Sequence, residues 1–320
     1  MTRPTLLDIA KLNLGDAEVG LIEEAIYNCP EVTGFDRETN QLIPGVGQTK
    51  TIRGINYSTK VRTALPSAGF RNANEGVTAT KSTFENRLVE TFILNPRWEC
   101  DKAVADRNEE GPEAFIAEEA DAQLKASFLQ AARNFYYGTN TSYSGDAKGH
   151  PGLIDAYDAT NRVLDAGGTT ANTGSSVWLV KWGPQDVRWV LGQNGELAVS
   201  DVRIETIFDG SSNPLTGYVQ ELLAYLGVQV GSINAVVRIK KLTEDSGKGL
   251  TDAAFAKALE KFPAGVRPDV AFCTKRSRRQ LQSSRTATHP SGQPAPFPVE
   301  VFGVPLVVTS ALSDTEALTL

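Results

Sequence analysis

Over residues 51–65 apolar and polar side chains alternate with period two. Ile55, Tyr57, Val61 and Leu65 fall on one face, and Asn56, Ser58, Lys60 and Arg62 on the other. Such alternation predicts a strand of about fifteen residues. The breakers Pro66, Gly69, Asn72, Asn74 and Gly76 follow, and a second β-rich run over 77–94 sets Phe84, Leu88 and Phe92 on one side. Together these runs predict a long hairpin. At ~3.3 Å per residue it reaches about 50 Å, more than two lightly apolar strands stabilise alone, so it is expected to lie on another surface.

Upstream, residues 1–47 read as an arm. Asp16 is placed to cap a short helix with Val19, Ile22 and Ile26 on its apolar face, and Pro30 to end it. Residues 31–48 are loop-like, mixing Gly34, Pro44, Gly45 and Gly47 with polar side chains. Downstream, the spacing predicts a helix over 112–137, with Pro112 at its first position and Gly138 as its stop. It is about 40 Å long, with a stripe of Ile116, Ala120, Leu124, Phe128, Ala131 and Phe135. Glu113, Glu118, Asp121 and Lys125 lie largely off that stripe.

Two Gly/Ser/Thr-rich segments, 138–149 and 167–176, precede apolar runs at 177–180 and at Val187, Trp189 and Leu191, which read as buried strands. Beyond them the pattern predicts a helix over 219–228, a strand over 235–239 and a helix over 251–262 capped by Thr251. That alternation marks a compact α/β unit. Pro263 and Pro268 bracket its exit, 275–284 reads as a helix and 298–309 as a closing strand.

The chain has 320 residues, 41% of them apolar, enough for one large or two modest cores. Its net charge of -6, from 38 acidic and 32 basic side chains, argues against a dedicated nucleic-acid binder. The hairpin runs against that balance. Lys50, Arg53, Lys60, Arg62, Arg71, Lys81 and Arg87 outnumber Glu75, Glu85 and Glu90 within it, which suits an acidic neighbour. Cys29, Cys100 and Cys273 stand far apart with no C-x-x-C pair, as expected of reduced thiols. The beginning carries no basic cluster followed by an apolar run, so no export signal or membrane span is expected.

Enzyme signatures fail on spacing. The segment 45–51, Gly-Val-Gly-Gln-Thr-Lys-Thr, approaches a phosphate loop but lacks the Gly before Lys and the four-residue interval. No Gly-x-Ser-x-Gly elbow exists, and two histidines, His150 and His289, offer little for a metal or a Cys–His pair. No catalytic residue, metal or cofactor is therefore assigned. Lys275, Arg276, Arg278, Arg279 and Arg285 form an acid-free basic run on the 275–284 helix; it is read first as a solvated or subunit-facing surface and second as a phosphate contact. Trp98, Trp178, Trp182 and Trp189 are expected in the core.

The order of arm, basic hairpin, long helix, α/β unit and closing strand resembles the Hong Kong 97-type major capsid proteins of tailed double-stranded DNA bacteriophages. Four strings carry the resemblance further: Thr63 to Gly76 (TALPSAGFRNANEG), Gly149-His150-Pro151-Gly152-Leu153-Ile154, Val236-Val237-Arg238-Ile239 and Phe302-Gly303-Val304-Pro305-Leu306. The likeness spans nearly the whole chain. It implies an α+β fold with an N-arm (1–47), an E-loop hairpin (48–94), a P-domain (95–176) holding the spine helix 112–137, an A-domain (177–265) and a P-domain return with closing strand (266–320).

The resemblance further implies a structural protein, self-assembling into hexamers and pentamers of an icosahedral head that encloses the genome. Tyr57, Val61, Phe70, Phe84, Leu88 and Phe92 become expected apolar inter-subunit contacts, and Lys60, Arg62, Arg71 and Arg87 expected partners for acids next door. Glu113, Glu118, Glu119 and Asp121 on the spine are the candidate acids. Some relatives cross-link a Lys to an Asn; Lys60 and Lys81 lie on the hairpin, but no cross-link is assigned. The short arm implies a separate scaffolding protein, alongside a portal and a decoration protein. Non-specific lumenal contact with packaged DNA, and assembly in the host bacterial cytoplasm before residence in the virion, complete the expectation. The alternatives are an encapsulin-like nanocompartment shell, a nucleotide-dependent enzyme using 45–51, and a nucleic-acid binder using 275–285.

Overall fold

A computed structural model describes residues 3–4, 23–46, 48–143, 145–158, 160–195, 197–287 and 293–318. The Asp16-capped helix, Gly47 and His289 lie outside these residues.

Two sheets and one helix organise the chain. The first sheet has six strands in the order Glu300–Val301, Val304–Val308, Val270–Cys273, Ser175–Val180, Val236–Leu242 and Val163–Asp165. Its central strands are buried on both faces, which is why 175–180 reads as an unbroken apolar run. Val177 and Leu179 face the helices Asp252–Glu260 and Lys275–Ala287 through Phe255, Ala258 and Leu281. Trp178 and Val180 face the other way, onto Tyr136 and Phe135 of the long helix Pro112–Tyr137. Thr251 caps the first of those flanking helices, its Oγ1 accepting from Ala254 N at 3.1 Å.

The second, seven-stranded sheet is built on one strand, Pro214–Val230. Along its 17 residues it pairs in turn with Arg203–Phe208, Arg97–Asp101, Leu197–Val199, Phe92–Leu94 and Val187–Leu191, all antiparallel. Lys50–Thr51 adds a parallel edge to Val187–Leu191. The predicted helix over 219–228 is therefore strand.

The long helix begins and ends where the sequence places it. Gly111 precedes Pro112 with φ 93°, and Gly138, at φ 53°, donates its N–H to Asn134 O at 2.9 Å. A Cβ on Gly138 would meet Asp155 Oδ2 and Gly152 N at 2.2 Å, so only glycine fits. Its C-terminal half is buried between the sheets, Phe135 stacking on Trp182 at 5.5 Å and lying 5.4 Å from Trp189. Along the predicted stripe Ala131 and Phe135 are buried, while Ile116, Ala120, Leu124 and Phe128 are half-buried. All four tryptophans are core residues, at 9% exposure or less.

Three further expectations change. Pro30 opens the short helix Pro30–Thr33, as a first-turn proline does, and terminates nothing. Residues 31–48 are more than a loop, because Glu31, Asp36, Ile43 and Val46 are buried. Their neighbour Asn28 is stitched to the closing strand, its Nδ2 donating to Val308 O at 2.7 Å and its O accepting from Ser310 N at 2.8 Å. The closing strand is a tight hairpin, turning at Phe302 (φ 50°) and Gly303 (φ 73°).

The sheets also cut across the expected boundaries. Residues 187–230 join 92–101 in one sheet, whereas 270–273 and 304–308 sit beside 175–180 and 236–242 in the other. Non-local pairing decides this, and no local pattern announces it.

Candidate assembly surface

The hairpin is real and shorter than expected. Asn56–Ala64 pairs with Thr83–Glu90, so nine residues span about 30 Å, and 65–82 form an irregular tip.

At its root the ribbon is bolted to its own chain. Ile52, Val89 and Val190 form a small buried cluster with Tyr57 against it. Tyr57 OH donates to Gln229 Oε1, which also accepts from Arg188 Nε at 2.8 Å, while Gln229 Nε2 donates to Pro184 O at 3.0 Å. Lys50 Nζ sits 4.1 Å above the Tyr57 ring, and burial pushes the phenol pKa up. Arg87 Nη1 donates to Gly231 O at 3.1 Å. Gly227 lets the long strand pass beneath, because a Cβ there would meet Glu90 O at 2.3 Å. Tyr57 and Arg87, expected to contact a neighbour, therefore anchor the ribbon to its own body. Their side chains share the face that turns inward, a matter of strand parity plus the position of Gln229.

The opposite face is open. Lys60 Nζ and the Arg62 guanidinium lie 4.5 and 5.3 Å over the Phe84 ring, and Phe84 and Leu88 remain 47% and 60% exposed. Phe84 and Leu88 do share a side, opposite to that of Tyr57 and half-buried Val61. Phe92 is half-buried in its strand opposite Leu226. At the tip Phe70 is fully exposed, and Arg71 Nη1 reaches only as far as Glu75 O, 3.0 Å away.

On the spine, Glu113 and Asp121 are exposed and Glu118 and Glu119 half-buried; Asp121 pairs with Lys125 at 2.5 Å. Among the described residues no ion pair joins Lys60, Arg62 or Arg71 to these acids within the chain.

The basic helix is largely committed inside the subunit. Arg276 donates to Asp314 O, Thr173 O and Leu242 O at 2.9, 2.6 and 3.2 Å. Arg278 is 4% exposed, pairs with Glu38 and lies 4.2 Å from the Phe297 ring. Arg279 pairs with Glu244, and Arg285 with Asp252 at 2.7 Å. Lys275 is exposed. Intrachain neutralisation, which the charge run alone does not reveal, is thus the main use of these cations.

A buried polar network went unread in the sequence. Arg238 is fully buried; it reaches Asp158 at 3.0 Å, Glu316 Oε2 at 3.3 Å and Ser176 Oγ at 3.0 Å, with Trp178 5.1 Å away. Tyr137 OH donates to Glu316 Oε1 at 2.7 Å, and burial holds that phenol well above its ordinary pKa. The only local hint was an arginine inside the apolar run 236–239.

Among the described residues no arrangement resembles a catalytic centre. Gly45 (φ 87°) packs against Trp182, whose Cβ would lie 2.5 Å from a Cβ placed on it. His150 Nδ1 donates to Pro151 O at 3.0 Å, and burial lowers its pKa. The three thiols are buried and pushed up to about 12, 11 and 12 for Cys29, Cys100 and Cys273, chiefly by desolvation, so they are poor nucleophiles.

Residues 35–317 match the model of a family described as major capsid protein GP7. Among solved structures, a chain of bacteriophage Epsilon15 is similar with a TM-score of 0.67 and 20% identity, over 99% of this chain and 98% of that one. A chain of Mycobacterium phage Ogopogo gives a TM-score of 0.49 at 11% identity, over 72% and 98%. One of Mycobacterium phage Cain gives 0.46 at 14%, over 74% and 98%. No curated protein sequence matches the chain. At its level of identity the Epsilon15 likeness shows a shared fold.

Proposed function

The chain belongs to the major capsid protein GP7 family, and from that membership we propose how its parts divide the building of a shell. It is a structural protein of the virion capsid, not an enzyme, and copies of it assemble into that shell. We assign it the Hong Kong 97-type architecture. The spine helix with the seven-stranded sheet forms the P-domain, the six-stranded sheet with its two helices the A-domain, and the ribbon the E-loop. Hexamers and pentamers of an icosahedral head around double-stranded DNA follow from that assignment.

The observation that carries the reading is the ribbon itself. Its root is secured, its outward face presents Lys60, Arg62, Phe84 and Leu88 to solvent, and the seven basic side chains over 50–90 face three acids. The spine acids Glu113, Glu118, Glu119 and Asp121 of a second copy are its natural complement. Reversing charge with Arg62→Glu and Arg71→Glu should abolish closed shells in negative-stain images while leaving a folded subunit. Normal shells from that variant would overturn the assignment.

Assembly in the bacterial cytoplasm with a separate scaffolding protein, a portal and a decoration protein belongs to the same proposal. Lumenal contact with DNA rests on little beyond Lys275, since Arg276, Arg278, Arg279 and Arg285 are paired within the chain. The nanocompartment reading is not favoured by the family match.

A further inference from the structure

The chain carries an apolar knob and an apolar hole that it cannot join by itself. The knob is Phe70, the most exposed large apolar side chain among the described residues, at 109% of its reference area on the ribbon tip. The hole is a cavity of about 240 Å³ between the spine helix and the long strand, lined chiefly by Leu94, Leu124, Phe128, Trp189, Leu222 and Leu226. Apolar cavities of roughly 150 Å³ stay dry and accept benzene, so this one has room for a phenylalanine ring. Of its polar lining, Ser127 Oγ donates to Gln123 O at 2.6 Å and Thr33 Oγ1 to Cys29 O at 3.1 Å.

Position excludes a contact within one chain. Thr49 and Leu94 line the cavity, and they flank the two ends of the ribbon, so the hole lies at the ribbon's root. The paired strands hold the tip about 30 Å away from that root. A knob and a hole on distant parts of one molecule meet head to tail between copies, the heterologous contact that closes into rings. Charge points the same way. A second hollow adjoins the first, sharing Leu124 and Leu222, and adds Asp121 and Glu221 to its rim. Both acids already have an internal partner, Lys125 and Arg203, yet they give the basic tip, with Arg71 next to Phe70, an acidic landing.

We propose that the cavity between the spine helix and the long strand is a socket for Phe70 of a second copy of this chain, with Arg71 seated on its acidic margin. The inference rests on the ribbon crossing to a neighbour and names where its tip ends.

Cysteines at both places test it. Thr49 is exposed at the cavity rim and a Cβ on exposed Gly69 meets nothing, so Gly69→Cys with Thr49→Cys leaves the core and the Phe70 ring intact, and the native thiols are buried. Mild oxidation of assembled shells should give a ladder of covalent oligomers in non-reducing gels, absent from either single variant and from dispersed subunits. Phe70→Ala should reduce the yield of shells at least tenfold while urea unfolding of the free subunit is unchanged; Phe70→Leu should restore part of the yield. Shells of the double variant that run as single chains, with Phe70→Ala assembling normally, overturn the socket. If Arg62→Glu with Arg71→Glu still blocks assembly, the ribbon reading survives that loss; if it does not, both fall. A cross-link inside dispersed single chains also overturns the proposal, because the tip would then fill its own cavity.

Discussion

Replacing Glu31 with glutamine should remove a pH dependence that burial builds into the subunit. Glu31 sits in the helix Pro30–Thr33, fully buried, with Oε1 accepting from Thr309 Oγ1 at 2.9 Å. Its Oε2 has no hydrogen-bond partner among the described residues. Tyr136 on the spine and Cys29 before the helix face it, and both are pushed up in part by its charge. Desolvation raises the Glu31 carboxyl from 4.5 to about 8. The native state therefore holds a proton that the unfolded chain releases. Stability from the neutral acid is complete below the unfolded value and is lost progressively as pH rises to about 8. Between pH 5 and 8 the loss amounts to on the order of 3 kcal/mol. The amide of Glu31→Gln keeps the Thr309 bond and has nothing to ionise. Urea unfolding of dissociated wild-type and variant subunits at pH 5, 6.5 and 8 measures the difference. The gap between them should widen in the variant's favour with pH. Parallel profiles, agreeing within about 0.5 kcal/mol over that range, would refute the reasoning.

Three other substitutions probe the remaining features. Glu316→Gln leaves Arg238 buried with one carboxylate, Asp158, and should destabilise the subunit by about 3 kcal/mol in urea titrations, whereas Arg238→Met with Glu316→Leu should recover most of that loss. Tyr57→Phe removes one hydrogen bond to Gln229, worth about 1 kcal/mol, and should speed exchange of the Thr91 amide, which donates to Ile55 O in the ribbon root, without changing exchange in the six-stranded sheet. Gly227→Ala drives a methyl into Glu90 O; it should lift the ribbon root, lower the urea midpoint and reduce shell yield, and unchanged values would show that the two strands part easily.

Sequence patterns were most informative where structure is local. The spine helix was legible to the residue because its stops, Gly111-Pro112 and Gly138, are backbone chemistry carried on the chain itself. The Thr251 cap and the 275–287 helix follow for the same reason. The long strand was missed for an equally physical cause. Val219, Leu222, Leu223 and Leu226 recur at helical spacing, because the buried positions of Pro214–Val230 slip by one residue near 220–221 and again near 225–226, where partners change. Strand alternation interrupted in this way imitates a helix. The ribbon was foreseen, though longer than it is, but the inward use of Tyr57 and Arg87 depends on Gln229 and Gly231, well over a hundred residues away. Charge counting failed at the basic helix because its partners, Glu38, Glu244, Asp252 and Asp314, all lie outside the run, Glu38 well over two hundred residues before it.

The irregular tip, residues 65–82, holds its shape with few bonds, among them Glu75 N to Asn72 O at 3.3 Å and Thr80 Oγ1 to Ser67 O at 2.9 Å. Fixing such backbone opposes docking by about 1 kcal/mol per residue ordered, so in the assembly proposed above each arm would grip its neighbour only weakly after that loss is subtracted. Weak single grips are reversible. A subunit that lands in the wrong orientation can leave before the next arrives, and a correctly closed ring is kept because many arms would have to release at once. On that proposal the sparse bonding of the tip would act as proofreading during growth, and permanence would arise only from closure.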